Sequence, residues 1–129
     1  MMHILYKEDI DYLNKLLNLP AKGDEQDWDL ELSDPARLSE FLGTFKAYQF
    51  SLSVRKAFLA LIMASYDQLL QYDPDEDDFY WVSIKELLDS EKHEHMALLK
   101  YWSLEDSMYY NEDDGFPVTP RIRAYLYQQ

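Results

Sequence analysis

A mainly α fold is predicted, a compact bundle of five or six helices packed around a central helix at 53–72. Three observations predict it. Apolar residues recur every three or four positions along most of the 129 residues. Residues 53–72 carry two apolar stripes at once, so that helix needs neighbours on both sides. Helix-ending and helix-starting residues flank the stretches: Pro20 and Asp73-Pro74 as stops, Asp34-Pro35 and Thr119-Pro120 as starts. No repeat or linker composition divides the chain, so a single helical domain over 1–129 is expected.

Between Lys7 and Leu19, Ile10, Leu13, Leu16, Leu17 and Leu19 form one stripe, with Tyr12 beside them, and Pro20 stops it. Around Trp28, Leu30 and Leu32 alternate with Asp29, Glu31 and Ser33, which reads as a short strand or an extended loop pinned by Trp28. Asp34 suits an N-cap and Pro35 the first helical position, with Leu38, Phe41, Leu42 and Phe45 facing inward. A break is expected at 48–52. The central helix follows, with Val54, Phe58, Leu61, Ile62, Ser65 and Leu69 on one stripe and Leu59, Met63, Tyr66 and Leu70 on the other.

A fourth helix is expected from Phe79 to Leu88, carrying Trp81, Ile84, Leu87 and Leu88. A break at Asp89-Ser90 leads to a fifth from Glu91 to Trp102, with His95, Leu98, Leu99 and Trp102 on one face. Residues 103–115 read as irregular. The last helix opens with Thr119 as cap and Pro120 behind it, burying Ile122 and Leu126, with Tyr125 a further candidate for the core.

Composition narrows the function. The chain has 25 acidic and 12 basic side chains, a formal charge of -13. That sign opposes binding to nucleic acid, which requires cations to displace counterions, and adhesion to an anionic membrane. The longest apolar run, Ala57 to Ala64, is far short of the roughly 20 residues that span a bilayer. The first residues show neither the positive start nor the apolar run of a signal peptide, so a cytoplasmic protein is expected. With no Cys there is no thiol nucleophile, thiolate site or disulfide. Three Gly residues are too few for a phosphate cradle.

The remaining chemical motifs fail on spacing. His93 and His95, two apart on a helix, point away from each other and cannot share a metal. Glu91 and His95, four apart, can approach, but the di-iron pattern needs Glu three before His, where Lys92 stands. His95 is therefore expected in the core and His93 in solvent. Asp73-x-Asp75-x-Asp77 opens like a calcium loop, yet the sixth position is Asp78 instead of Gly and the twelfth is Ile84 instead of Glu. No Gly-x-Ser-x-Gly elbow occurs. The expectation is no catalysis, no metal and no cofactor.

Two acidic segments studded with aromatics remain. One runs from Asp73 through Asp75, Asp77 and Asp78 into Phe79, Tyr80 and Trp81. The other holds Glu105, Asp106, Tyr109, Tyr110, Glu112, Asp113 and Asp114 and no base. Trp81 is in phase with Ile84 and Leu88 and belongs to the core. No helical stripe demands burial of Tyr109 or Tyr110. Desolvated Tyr and Trp dominate interface energetics, and carboxylates around them speed encounter with a basic partner. Asp75, Asp77, Asp78, Tyr80, Glu105, Asp106, Tyr109, Tyr110, Glu112, Asp113 and Asp114 are accordingly the expected partner-binding residues.

Small, acidic, Cys-free single-domain proteins of this kind resemble bacterial toxin immunity proteins of the polymorphic-toxin and contact-dependent-inhibition type. More locally, Asp106-Ser107-Met108-Tyr109-Tyr110-Asn111-Glu112-Asp113-Asp114-Gly115 is similar to the Asp-x-x-Tyr-Tyr segment of colicin nuclease immunity proteins. The resemblance implies a cognate protein toxin as partner, anchors at Tyr109 and Tyr110, and steering by Asp106, Asp113 and Asp114. Two other readings compete: a helical scaffold or oligomerisation subunit that presents apolar surface, and a carboxylate metalloenzyme.

Overall fold

The computed structural model describes residues 5–74, 78–104 and 115–127, and these are mainly α. In chain order the α-helices are α1 (Lys7–Leu16), α2 (Trp28–Glu31), α3 (Leu38–Ala47), α4 (Leu52–Tyr72), α5 (Phe79–Ser90), α6 (Met96–Ser103) and α7 (Thr119–Tyr127). Short 3-10 turns at Pro35–Arg37 and Lys92–His95 lead into α3 and α6. No strand occurs among the described residues. No described helix is long and apolar enough to cross a membrane. The chain divides into two compact units, Ile4–Leu69 and Leu70–Gln129, and the boundary falls inside α4.

All six stretches that the spacing marks are helical, with three local departures. The first helix ends at Leu16, not at Pro20, because Asn18 turns left-handed at φ 51° and Leu17 closes the last turn on the Leu13 carbonyl. Asn tolerates that conformation better than most residues. The turn leaves Leu16 exposed while Leu13, Leu17 and Leu19 stay buried. Around Trp28, one turn of helix stands where a strand or loop is expected. There the Trp28 indole, itself buried, donates to Asn14 Oδ1 at 2.8 Å, and Asp27 N–H donates to Glu31 Oε2 at 2.9 Å. Side-chain hydrogen bonds decide that element, and alternation of apolar residues cannot reveal them. Finally, the break expected at Asp89-Ser90 falls one residue later, at Glu91, and the fifth stretch opens as a 3-10 turn before becoming α6.

In the unit Ile4–Leu69, Asp34 caps as expected: its carboxylate accepts from Ala36 N–H at 3.0 Å, with Pro35 in the first position. Asp34 N–H donates to Ser65 Oγ at 3.0 Å, which ties this turn to α4. Phe58 sits fully buried against the rings of Phe41, Phe45 and Phe50, with centroids at 6.3, 5.4 and 5.7 Å. These tilted and edge-on contacts suit the ring quadrupoles. From Ala57 to Asp67 every residue of α4 is buried, so each face of the helix is covered there, as its two stripes require.

In the unit Leu70–Gln129, α7 closes the end of α6. The last carbonyls of a helix have no partner within it. Here Thr119 Oγ donates to the Trp102 carbonyl at 2.7 Å, and Arg123 donates to the carbonyls of Ser103 at 2.8 Å and Leu104 at 3.2 Å. Thr119 is thus the first residue of α7 and not its cap as expected, because its hydroxyl bonds the end of α6 instead of its own helix. The left-handed Leu104, at φ 56°, ends α6 without a glycine. Ile122 and Val118 are buried, and Leu126 and Tyr125 are half-buried.

Candidate functional site

The α5 helix has two apolar stripes of opposite fate. Trp81, Ile84 and Leu88, at i, i+3 and i+7, are buried as the spacing requires. Phe79 and Val82 begin a second stripe at i and i+3, and these face solvent with 69% and 48% of their surface exposed. Tyr80 is half-buried and meets the Phe79 ring edge-on at 5.4 Å. Tyr72, at the end of α4, is 75% exposed. Asp73 and Asp78 are also exposed. Single exposed apolar side chains are ordinary. An aromatic and a valine on adjacent turns of one helix, with the Asp78 carboxylate at its amino-terminal end, form a surface with a direction.

Asp78 occupies the N-cap position of α5 without capping it through its side chain. Its Oδ1 instead lies 3.6 Å from Arg121 Nε. That distance is an exposed ion pair without a short hydrogen bond, and such pairs contribute little stability. Its effect is electrostatic: one carboxylate of the face is partly balanced.

Arg121 belongs to a groove of about 530 Å³ between α5 and α7. The Trp81 and Tyr125 rings meet edge-on at 6.2 Å. Lys85 Nζ lies 6.0 Å over the Trp81 ring, and Lys92 Nζ lies 4.7 Å over the Tyr125 ring. Tyr125 O–H donates to Asp89 Oδ1 at 2.6 Å. Burial raises the Tyr125 phenol well above its ordinary value, and the hydrogen bond and negative charge of Asp89 add to the shift. The groove therefore holds its charged groups against one another and against its rings, by ion pair, phenol–carboxylate bond and cation–ring contact.

Of the residues expected to bind a partner, Asp78 and Tyr80 lie on this α5 face. Asp75, Asp77, Glu105, Asp106, Tyr109, Tyr110, Glu112, Asp113 and Asp114 lie outside the described residues. Phe79 and Val82 are added by the structure. Their exposure was legible only as a second stripe out of phase with Trp81, and such a stripe equally fits a helix buried twice. The cations of the groove carried no sequence signal, because only the placement of α7 beside α5 brings Arg121 and Lys85 together.

The histidines fall where their spacing puts them. His95 is buried, with Nε2 3.3 Å from Glu91 Oε2, and His93 is exposed. Among the described residues, no group of three or more His, Asp or Glu side chains converges as metal ligands would.

Comparison with known protein families, with characterised proteins and with solved structures finds no match for this chain.

Proposed function

We propose that this chain is an immunity protein, which neutralises a cognate bacterial toxin by docking an acidic, aromatic face over the toxin's basic active or substrate surface. The observation that carries the reading is the exposed Phe79–Val82 pair on α5, with Asp78 at the start of the helix, in a molecule of formal charge -13. Apolar side chains that leave water on docking supply affinity, and the surrounding carboxylates supply encounter rate and exclude acidic partners. Tyr109 and Tyr110, with Asp106, Asp113 and Asp114, extend the same chemistry in the sequence. Blocking requires the surface of the chain and no reaction by it.

The toxin is expected to be the product of the gene immediately upstream. Co-expression with that product should restore growth. Val82→Asp should abolish rescue and weaken the complex by about 2 kcal/mol or more, the range of an interface hot spot. Its helical circular-dichroism signal should be unchanged, because Val82 faces solvent. The association rate should fall as salt rises, since the attraction between exposed charges is screened beyond about 10 Å at 0.1 M. Rescue that persists in Val82→Asp and in Phe79→Ala would remove the α5 face from the reading. Absence of any rescue by the wild-type chain would remove the reading itself. A homodimer that Val82→Asp dissociates would instead establish the scaffold alternative.

A further inference from the structure

We propose that the cleft between α1 and the start of α4 is a receptor for one alkylammonium group, with Asp9 as its counter-ion. The cleft has a volume of about 370 Å³ and is lined by Glu8, Asp9 and Tyr12 of α1 and by Phe50, Ser51 and Val54, among others. Asp9 is only 7% exposed, and its Oδ2 is fully buried without a hydrogen-bond partner among the described residues. A buried carboxylate oxygen without a donor is costly, so such a group is normally paired.

Local explanations do not supply the partner. Asp9 occupies the third position of α1, where a capping box would have its side chain accept from the N-cap N–H, yet Oδ2 accepts no bond. The amino-terminal end of α1 favours negative charge there, with a field equivalent to roughly half an elementary charge, but it donates nothing to Oδ2. Two basic residues that adjoin lining residues of the cleft in sequence, Lys7 beside Glu8 and Arg55 beside Val54, are engaged elsewhere. Lys7 Nζ is 3.4 Å from Asp11, and the Arg55 guanidinium donates to the Phe50 carbonyl.

The walls select the class of ligand. Tyr12 and Phe50 meet edge-on at 6.3 Å, and Val54 is the apolar wall on α4. Aromatic rings attract cations through their negative faces, and an aliphatic stem gains by leaving water against them. Glu8 adds a second negative charge at the rim. A hard metal ion would need six or more oxygen ligands, and among the described residues no three acidic or imidazole side chains converge to begin such a shell. An ammonium on an aliphatic stem satisfies both parts, and it can come from a free amine or from a lysine side chain of a protein. This site lies within the unit Ile4–Leu69 and stands independently of the α5 face.

Amide chemical-shift titrations test it. n-Butylammonium should shift the amides of Asp9, Tyr12, Phe50 and Val54 in saturable fashion, whereas n-butanol should not. Asp9→Asn should weaken the response about tenfold or more, as expected for losing a charge-assisted hydrogen bond. Tyr12→Leu, at a side chain half exposed, provides a second variant that leaves the carboxylate in place and should also weaken it. Nα-acetyl-lysine methylamide distinguishes the sources: matching shifts identify a protein lysine, and a response to butylammonium alone identifies a free amine. No response to either cation overturns the proposal, as does an equal response to n-butanol or an unchanged response in a folded Asp9→Asn or Tyr12→Leu.

Discussion

Tyr125 concentrates three effects in one ring: partial burial, a 2.6 Å hydrogen bond to Asp89 and the Lys92 ammonium above its face. Burial and the carboxylate both oppose forming a phenolate, which raises the folded-state pKa. Below the ordinary tyrosine value of about 10, both the folded and unfolded chains keep this proton, and the contribution to stability is complete. Above it the unfolded chain releases the proton first, so stability falls as pH rises. The difference in phenolate absorbance between wild type and Tyr125→Phe should therefore show no tyrosine titrating near pH 10 for this residue while the fold persists. A full phenolate step near pH 10 in that difference would contradict the burial assigned to the ring. Thr119 makes a simpler case. Its buried hydroxyl closes the Trp102 carbonyl, and Thr119→Val keeps the volume but leaves that acceptor unmet. Urea unfolding should show a loss of about 1–3 kcal/mol.

Among the elements, α4 depends most on packing. Phe58 is fully buried and touches three other phenylalanine rings, so Phe58→Ala removes a large apolar surface and leaves a cavity. The expected cost is about 3–5 kcal/mol, read as a lower urea midpoint at unchanged slope. By contrast, α5 tolerates change on its outer stripe and not on its inner one. Val82→Asp should leave the melting temperature nearly unchanged, whereas Ile84→Asp should unfold the helix because Ile84 is inaccessible to water. The same twelve-residue helix thus holds both a core surface and a presented surface, separated by the difference between i+3 spacings that start at Trp81 and at Phe79.

For the whole molecule, an excess of 25 acidic over 12 basic side chains governs how any partner approaches. Among described residues, cations are frequently held by neighbours in the fold: Arg37 grips Glu40 at 2.7 Å and stands over the Phe41 ring, and Arg121 balances Asp78. Long-range attraction for a basic protein follows from the uncompensated carboxylates, and it should weaken steadily with ionic strength. In the proposed complex, short-range affinity comes from apolar side chains such as Phe79 and Val82, which salt does not screen.

The sequence by itself determined the helical class and the position of nearly every long helix, because burying one stripe of a helix imposes a repeat near 3.6 residues that no other element shares. It also determined the Asp34-Pro35 start, the burial of His95 and the exposure of His93, each a consequence of a local geometry. Tertiary structure decided whether Trp28 sits in a helix or a strand. It also decided which of two possible stripes on α5 is presented to solvent. The Trp28 turn depends on Asn14 receiving its indole, and other partners distant in sequence were equally hidden: Ser65 receiving the amide of Asp34, and Thr119 and Arg123 closing the carbonyls of α6. Periodicity records which side chains avoid water, but not which hydrogen-bond partner a folded chain brings to each polar group.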